Sequence, residues 1–127
     1  MRQAGIVAVC LLLLAALAAS PASAYTMTTT VITDGVQSPD GGYLDIACKP
    51  SGGSWGSCGS SLSAGTQVSI YAMANEGYWF MWFYTSPYLQ GCTTMNWGWG
   101  YHANPENHCA FTMPSSNVSI SAEFQLP

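Results

Sequence analysis

The sequence predicts a single, essentially all-β domain that is exported and stabilised by disulfide bonds. Three observations predict this fold class. Short segments that alternate apolar with polar residues are separated by turns containing Gly or Pro. Past the N-terminal segment, no stretch has the 3.6-residue period of an amphipathic helix. The length of 127 residues suits one domain, and the two basic side chains offer almost nothing to a nucleic acid, so we expect no nucleic-acid partner.

The first 24 residues predict a signal peptide that is removed on export. Arg2 gives it a basic start, residues 4–19 form an apolar run, and Ala22-Ser23-Ala24 is a typical cleavage pattern. The apolar run is shorter than the roughly 20 residues that span a bilayer. We therefore expect cleavage after Ala24, no membrane span afterwards, and one secreted or cell-surface domain over residues 25–127.

The cysteines that remain after cleavage predict two disulfides. Four are left, and an even number in an exported chain favours disulfides over a metal site. Three pairings are open, and local closure favours Cys48 with Cys58 and Cys92 with Cys109. Because the chain lacks C-x-x-C and H-E-x-x-H spacings, we expect no metal, no cofactor and no enzymatic activity.

Two strands and a long loop are predicted in the first part of the mature chain. Residues 25–33 are rich in β-branched side chains and free of Gly and Pro, which favours an extended strand. Turn residues follow, and residues 43–48 then place their apolar members on alternate positions. Residues 49–65 are mostly Gly and Ser, so they predict a loop that Cys58 fixes in place.

Four more strands are predicted in the second part. Residues 66–74 and 118–124 alternate cleanly, which is typical of half-buried strands. Residues 78–85 are a dense apolar and aromatic run and predict the most buried strand of the domain. Residues 86–107 contain Gly and Pro and predict an irregular excursion before a strand at 108–113. The residues predicted to face the core are Val68, Ile70, Ala72, Val118, Ile120, Ala122 and Phe124.

Two blocks of sequence, GTQVSIYAMANEGYWFMWF at residues 65–83 and FTMPSSNVSISAEF at residues 111–124, resemble the divergent InlB B-repeat family of surface proteins. The repeat-like unit covers residues 65–124, with residues 86–107 as an aromatic insertion. Phe83 stands where the family pattern carries Trp. The resemblance implies a small β-grasp-like or β-sandwich module that serves as a stalk, spacer or adhesive unit, with no catalytic residues.

We expect this domain to act by contact, as a structural or adhesive element with other surface proteins as partners. A self-assembling extracellular subunit is one form of this hypothesis. The strand at residues 25–33 is long and uncharged, so it is a candidate for addition to the sheet edge of a neighbouring copy. The alternative is that this strand pairs within its own domain.

The aromatic insertion predicts a second function, glycan binding. Trp97 and Trp99 are two residues apart, so an extended backbone would project both rings from one face, which suits stacking on sugar rings. Tyr88 and Tyr101 complete this candidate binding set. The alternative is that these rings fold back and cover the sheet.

One modification site is predicted as well. Asn117 begins an Asn-Val-Ser sequon on a predicted turn, which makes it a candidate for N-glycosylation. A sugar there would help to solubilise a surface with few charges.

Overall fold

The computed structural model describes residues 23–92 and 107–127, which form strands and two short 3-10 turns. The predicted all-β fold class is confirmed. In chain order the strands are β1 (Ala24–Tyr25), β2 (Met27–Thr33), β3 (Val36–Gln37), β4 (Gly42–Lys49), β5 (Leu62–Ser63), β6 (Gln67–Ala74), β7 (Trp79–Ser86), β8 (His108–Thr112) and β9 (Val118–Gln125). The 3-10 turns are Pro39–Gly41, before β4, and Gln90–Cys92, after β7.

The strands form two main sheets. One sheet has four strands in the order β3-β2-β9-β7, and the other has three in the order β4-β6-β8. The short strands β1 and β5 pair separately. β2 runs parallel to β9 over the whole of its length. The N-terminal strand is thus an internal strand of its own sheet in this structure. The addition of this strand to a neighbouring copy stays a prediction.

The core lies where the alternating faces of the strands converge. All seven residues predicted to face the core are buried, which confirms the period-two pattern of β6 and β9. The largest fully buried side chains are Phe124, Ile70, Met113, Ile120, Val68, Cys92 and Cys109. Phe124 is at the centre of the aromatic packing, since its ring lies edge-on to Phe80 with the centroids 5.7 Å apart.

The prediction that β7 is the most buried strand is wrong. Only Phe80 and Phe83 are buried in it, and its other residues are half-buried or exposed, because β7 is the terminal strand of its sheet. A bulge between Phe80 and Trp82 shifts the register with β9. This extra residue brings both phenylalanines to the inner face, with ring centroids 4.8 Å apart. The most buried strand is β9, which has a strand on each side.

Glu123 is a buried carboxylate on the side of the four-stranded sheet that points away from the core. Alternation in β9 places it opposite the core-facing residues, yet its side chain is only 7% exposed. The Tyr84 hydroxyl donates to its Oε2 at 3.4 Å, and the Gln125 amide donates to its Oε1 at 3.3 Å. The sequence pattern gives the face on which Glu123 lies, but not its neighbours across the sheet, which are Ile32 of β2 and Trp82 of β7.

The disulfides join Cys48 to Cys58 and Cys92 to Cys109, the two pairings that local closure favours. The first holds the loop that follows β4. This loop is less irregular than predicted, because it contains β5 and because Gly56 pairs with Cys48. Leu62 in β5 is buried in the core.

The start of the described chain carries the predicted cleavage site. Ala24 lies in β1 and pairs with Ser63 of β5. Most of the predicted signal peptide lies outside the described residues, so cleavage after Ala24 stays a prediction. Among the residues that the structure describes, no helix is long and apolar enough to cross a membrane.

Candidate functional site

Within residues 23–92 and 107–127, the outer edge of β4 is open along most of its length. β4 is a terminal strand, and among these residues only Cys48 is paired on that side, through reciprocal hydrogen bonds with Gly56 of 2.9 and 2.8 Å. In an antiparallel strand, alternate residues direct both backbone groups to the same side. Ile46 and Leu44 therefore direct their N–H and C=O groups to the side of Gly56, where no described strand meets them. We call these four backbone groups the open edge.

The open edge has one of the features that usually prevent strands from adding to a sheet, the exposed charge of Asp45, and lacks most of the others. Soluble proteins protect such edges with Lys, Pro, bulges or covering segments. β4 contains no Pro and pairs with β6 over eight positions without a register shift. Lys49 is its last residue, at the end that the loop already covers. Next to Gly56 in that loop, Trp55 is 52% exposed, so an aromatic side chain is available beside the edge.

The solvent-facing side of the three-stranded sheet carries a row of polar and aromatic side chains. Asp45 of β4 lies opposite Tyr71 of β6, which lies opposite His108 of β8. Tyr43 lies two residues before Asp45 on the same face. Tyr43 is 56% exposed and Tyr71 is 42% exposed. We call the side chains of Tyr43, Asp45, Tyr71 and His108 the outer face.

Two rings of the outer face are held in place by contacts within the sheet. The rings of Tyr71 and His108 stack with centroids 4.1 Å apart and an interplanar angle of 7°. His108 Nε2 also lies 2.7 Å from the Ser69 hydroxyl, which fixes the orientation of the imidazole. The Asn107 amide donates to the Ala72 carbonyl at 3.0 Å and secures the start of β8. A ligand would therefore lose little side-chain entropy on binding here.

The outer face has a negative charge with no cation near it. Asp45 is exposed, and Lys49 is the only Lys or Arg among the described residues. Lys49 is four residues further along β4, which is about 13 Å at the usual rise of a strand. This distance is too long for an ion pair, so the Asp45 carboxylate remains available to a partner.

The predicted glycan site is not tested, because only one of its four residues lies in the part of the chain that the structure describes. Tyr88 lies between β7 and the second 3-10 turn and is 72% exposed. Trp97, Trp99 and Tyr101 lie outside the described residues. The Cys92–Cys109 disulfide joins the two flanks of the insertion that carries them.

The turn before β9 holds the predicted glycosylation site. Asn117 is exposed, and its Oδ1 accepts a hydrogen bond from the Thr26 backbone at 3.0 Å. N-linked sugars attach to the side-chain nitrogen, so this contact does not occupy the modified atom. Glycosylation of Asn117 stays a prediction.

No metal-binding cluster is found in the part of the chain that the structure describes: residues 23–92 and 107–127 contain no group of three His, Cys, Asp or Glu that could hold an ion. All four cysteines in these ranges are in disulfides. The described surface has two candidate binding regions, the open edge of β4 and the side chains of the outer face.

Sequence reasoning missed the outer face as a group. The alternation of β6 places Tyr71 on the side away from the core, and the same rule applied to β4 selects Tyr43 and Asp45. The alternation predicts which side chains of each strand point away from the core. It does not give the register between strands, which is what places Asp45 and His108 on either side of Tyr71.

The chain belongs to the divergent InlB B-repeat domain family, whose model matches residues 44–126. The match covers more than half of the chain and confirms the resemblance seen in the sequence. It runs from β4 to the end of β9 and includes β6, β7 and β8, whereas β1, β2 and β3 precede it. This is a family of surface repeats and not of enzymes. No curated protein matches the chain, and no solved structure matches it.

Proposed function

We propose that this domain is a secreted or cell-surface structural module that acts by protein–protein contact, and that its open edge adds to a strand of a second copy. The observation that carries the proposal is the regular outer edge of β4, where no described strand pairs with Leu44 and Ile46. Membership of a surface-repeat family and the two disulfides support an extracellular setting. The low charge of the chain, 6% of its residues, also favours close approach of copies.

Two assemblies can be built from this edge. Pairing of β4 with β4 of another copy is isologous and closes a dimer. Pairing of β4 with β7, the terminal strand of the other sheet, leaves an edge free on each copy and propagates into a polymer. Both assemblies require the N–H and C=O groups of Leu44 and Ile46.

The edge alone supports only weak association. Each backbone hydrogen bond adds about 0.5–1.5 kcal/mol, so four groups contribute roughly 2–6 kcal/mol before the cost of association. Burial of the Trp55 ring against the partner adds about 1.5–3 kcal/mol. These terms sum to at most about 9 kcal/mol, and association costs at least about 4 kcal/mol, so we expect self-association no tighter than the high-micromolar range. Such contacts act when copies are crowded on a surface or arranged in a repeat.

Sedimentation velocity over a range of concentrations tests this proposal, with the disulfides intact. The informative pair of variants is Ile46→Pro and Ile46→Ala. Both shorten the side chain, but only proline removes the outward N–H, and proline is tolerated at such edge positions because the ladder with β6 does not use that group. We expect the wild type and Ile46→Ala to associate at high concentration and Ile46→Pro to stay monomeric. A wild type that remains a monomer at millimolar concentration contradicts the proposal.

Glycan binding by the aromatic insertion is a second candidate function. It is supported by the exposure of Tyr88 and by the disulfide that ties the two flanks of the insertion together. The test is retention on insoluble polysaccharide. Replacing Trp97 and Trp99 with Ala should abolish retention and leave self-association unchanged. Equal retention of the double variant and the wild type argues against this function.

Export is part of the same proposal. Cleavage after Ala24 leaves Tyr25 as the first residue, so β1 keeps the Tyr25–Leu62 pair and loses only the pair made by Ala24. Intact mass of the exported protein should match residues 25–127 with both disulfides formed. A mass that retains residues 1–24 contradicts the predicted cleavage.

A further inference from the structure

We propose that the outer face binds an arginine-bearing basic segment of a partner protein, with the guanidinium held between the ring of Tyr71 and the carboxylate of Asp45. This inference rests on the proposed function, because it names the partner chemistry of a contact module. It concerns a different surface from the open edge: the edge uses the backbone of β4, whereas the outer face uses side chains that stand above the sheet.

One face of the Tyr71 ring is free for such a contact. His108 comes from β8, on one side of β6, and stacks on Tyr71 with the rings nearly parallel. The opposite face of the ring therefore points towards β4, on the other side of β6. Cations bind the faces of aromatic rings, and Arg does so more often than Lys.

Asp45 of β4 lies on the side of Tyr71 that is opposite to His108. It is the residue of β4 directly opposite Tyr71, and opposite residues of an antiparallel pair have Cβ atoms about 4.5–5.5 Å apart. A planar guanidinium above this pair can stack on the tyrosine and donate two hydrogen bonds to the carboxylate. Tyr43, two residues along β4 and 56% exposed, adds a second ring next to the same position.

The cation must come from another protein. The whole chain contains one arginine, Arg2, and that residue lies in the predicted signal peptide. Lys49 is the only cation among the described residues, and they also contain five carboxylates. A second copy of this chain therefore supplies no guanidinium after export, and the negative balance favours a basic partner at the outer face.

The site is organised before the ligand arrives. The stack with His108 and the 2.7 Å contact between His108 and Ser69 hold the Tyr71 ring on one side. The rigid ladder between β4 and β6 fixes the spacing to Asp45 on the other. Pre-organised aromatic anchors of this kind bind at a low cost in side-chain entropy.

Binding of a hexa-arginine peptide to the full exported domain, with both disulfides formed, tests the proposal by calorimetry. Hexalysine and a neutral Gly-Ser peptide serve as comparison ligands. We expect hexa-arginine to bind more tightly than hexalysine and the neutral peptide not to bind. Asp45→Asn should weaken hexa-arginine by about 1.5- to 5-fold, as an exposed ion pair does. Tyr71→Thr should weaken it by about 2- to 5-fold, and Tyr71→Phe, which keeps the ring, should restore it.

Glu76→Gln is the matched control, because Glu76 is an exposed carboxylate on the turn between β6 and β7. It removes the same charge away from the outer face and should leave the affinity unchanged. Equal weakening by Glu76→Gln and Asp45→Asn shows diffuse attraction and overturns the proposal, as does the absence of hexa-arginine binding. Binding of cellohexaose that needs Tyr71 but not Asp45 assigns the face to a glycan and also overturns it.

The two proposals fail separately. If Asp45→Asn increases self-association and leaves the peptide affinity unchanged, Asp45 guards the edge of β4 and the arginine site is wrong, while edge pairing stands. If the protein never self-associates but binds hexa-arginine through Asp45 and Tyr71, edge pairing is wrong and the arginine site stands.

Discussion

Replacing Gly42 with alanine tests how the edge strand β4 packs on the core. Gly42 is the buried first residue of β4. A Cβ added there would lie 2.5 Å from the Met73 carbonyl oxygen and 2.6 Å from two ring carbons of Phe124. The backbone of Gly42 is extended, with φ at 168°, so alanine meets no conformational penalty. The effect of this substitution is therefore steric.

The magnitude follows from the displacement that is required. Ordinary contacts begin at 3.4 Å, so the backbone of β6 or the fully buried Phe124 ring must move by nearly 1 Å. Overpacking of this kind costs about 3 kcal/mol, and the reduced freedom of the unfolded chain returns up to about 1 kcal/mol. We expect a net loss of about 2 kcal/mol, which lowers Tm by about 8–16 °C in a domain of this size.

Urea unfolding and thermal unfolding with the disulfides intact measure this loss. Gly56→Ala is the matched control, because a Cβ there has nothing within 4 Å and its φ is outside the left-handed region. We expect Gly56→Ala to stay within about 0.5 kcal/mol of the wild type. If the two variants are equally stable, β4 does not pack on Phe124 as described and the placement of the open edge is wrong.

Three further substitutions have defined expectations, each measured as a free energy of unfolding. Thr33→Val removes a buried hydroxyl that makes two hydrogen bonds, of 2.7 and 2.9 Å, and should cost about 2–4 kcal/mol; a smaller cost than Asn117→Ala contradicts this account. Asn117→Ala removes the bond to Thr26 and should cost about 0.5–1.5 kcal/mol, whereas Asn117→Asp, which keeps an acceptor, should cost less. Removing the Cys48–Cys58 disulfide, which joins residues 10 apart, should cost about 3 kcal/mol; an unchanged Tm argues that this loop is not constrained.

Local patterns in the sequence predict the strands and their inner faces well. Val68 and Ile70 of β6, and Ile120 and Phe124 of β9, follow a strict period of two, and all four are buried as predicted. One face of each strand packs on the core, so alternate residues along the chain are apolar. This alternation can be recognised without knowing which strands lie next to each other. The family resemblance has the same origin, since its motif consists of core and turn positions.

Local sequence patterns do not predict the order of strands across a sheet. The dense apolar run of β7 looks central, but β7 is terminal, and the bulge at Met81 is needed to bring Phe80 and Phe83 to the same side. A run in which apolar residues occupy both faces is compatible with a central strand and with an edge strand. Only the pairing of β7 with β9 on one side shows that β7 is an edge strand.

The candidate surfaces depend on the same missing information. The outer face exists because the register brings Asp45, Tyr71 and His108 into one row. The open edge exists because no described strand follows β4 in its sheet. Sequence reasoning turned instead to the long N-terminal strand, since an uncharged β-rich run is suited to strand addition; β9 already pairs with that strand within the domain.

Amide hydrogen exchange at Ile46, followed as the protein concentration is raised, tests the central claim most directly. The N–H of Ile46 points away from the sheet, whereas the N–H of Asp45 points to β6 and reports on the fold itself. We predict that Ile46 exchanges fast in dilute solution and slows as copies associate, while Asp45 stays slow throughout. An Ile46 amide that exchanges fast at every concentration, or slowly in the dilute monomer, contradicts a contact module that uses this edge.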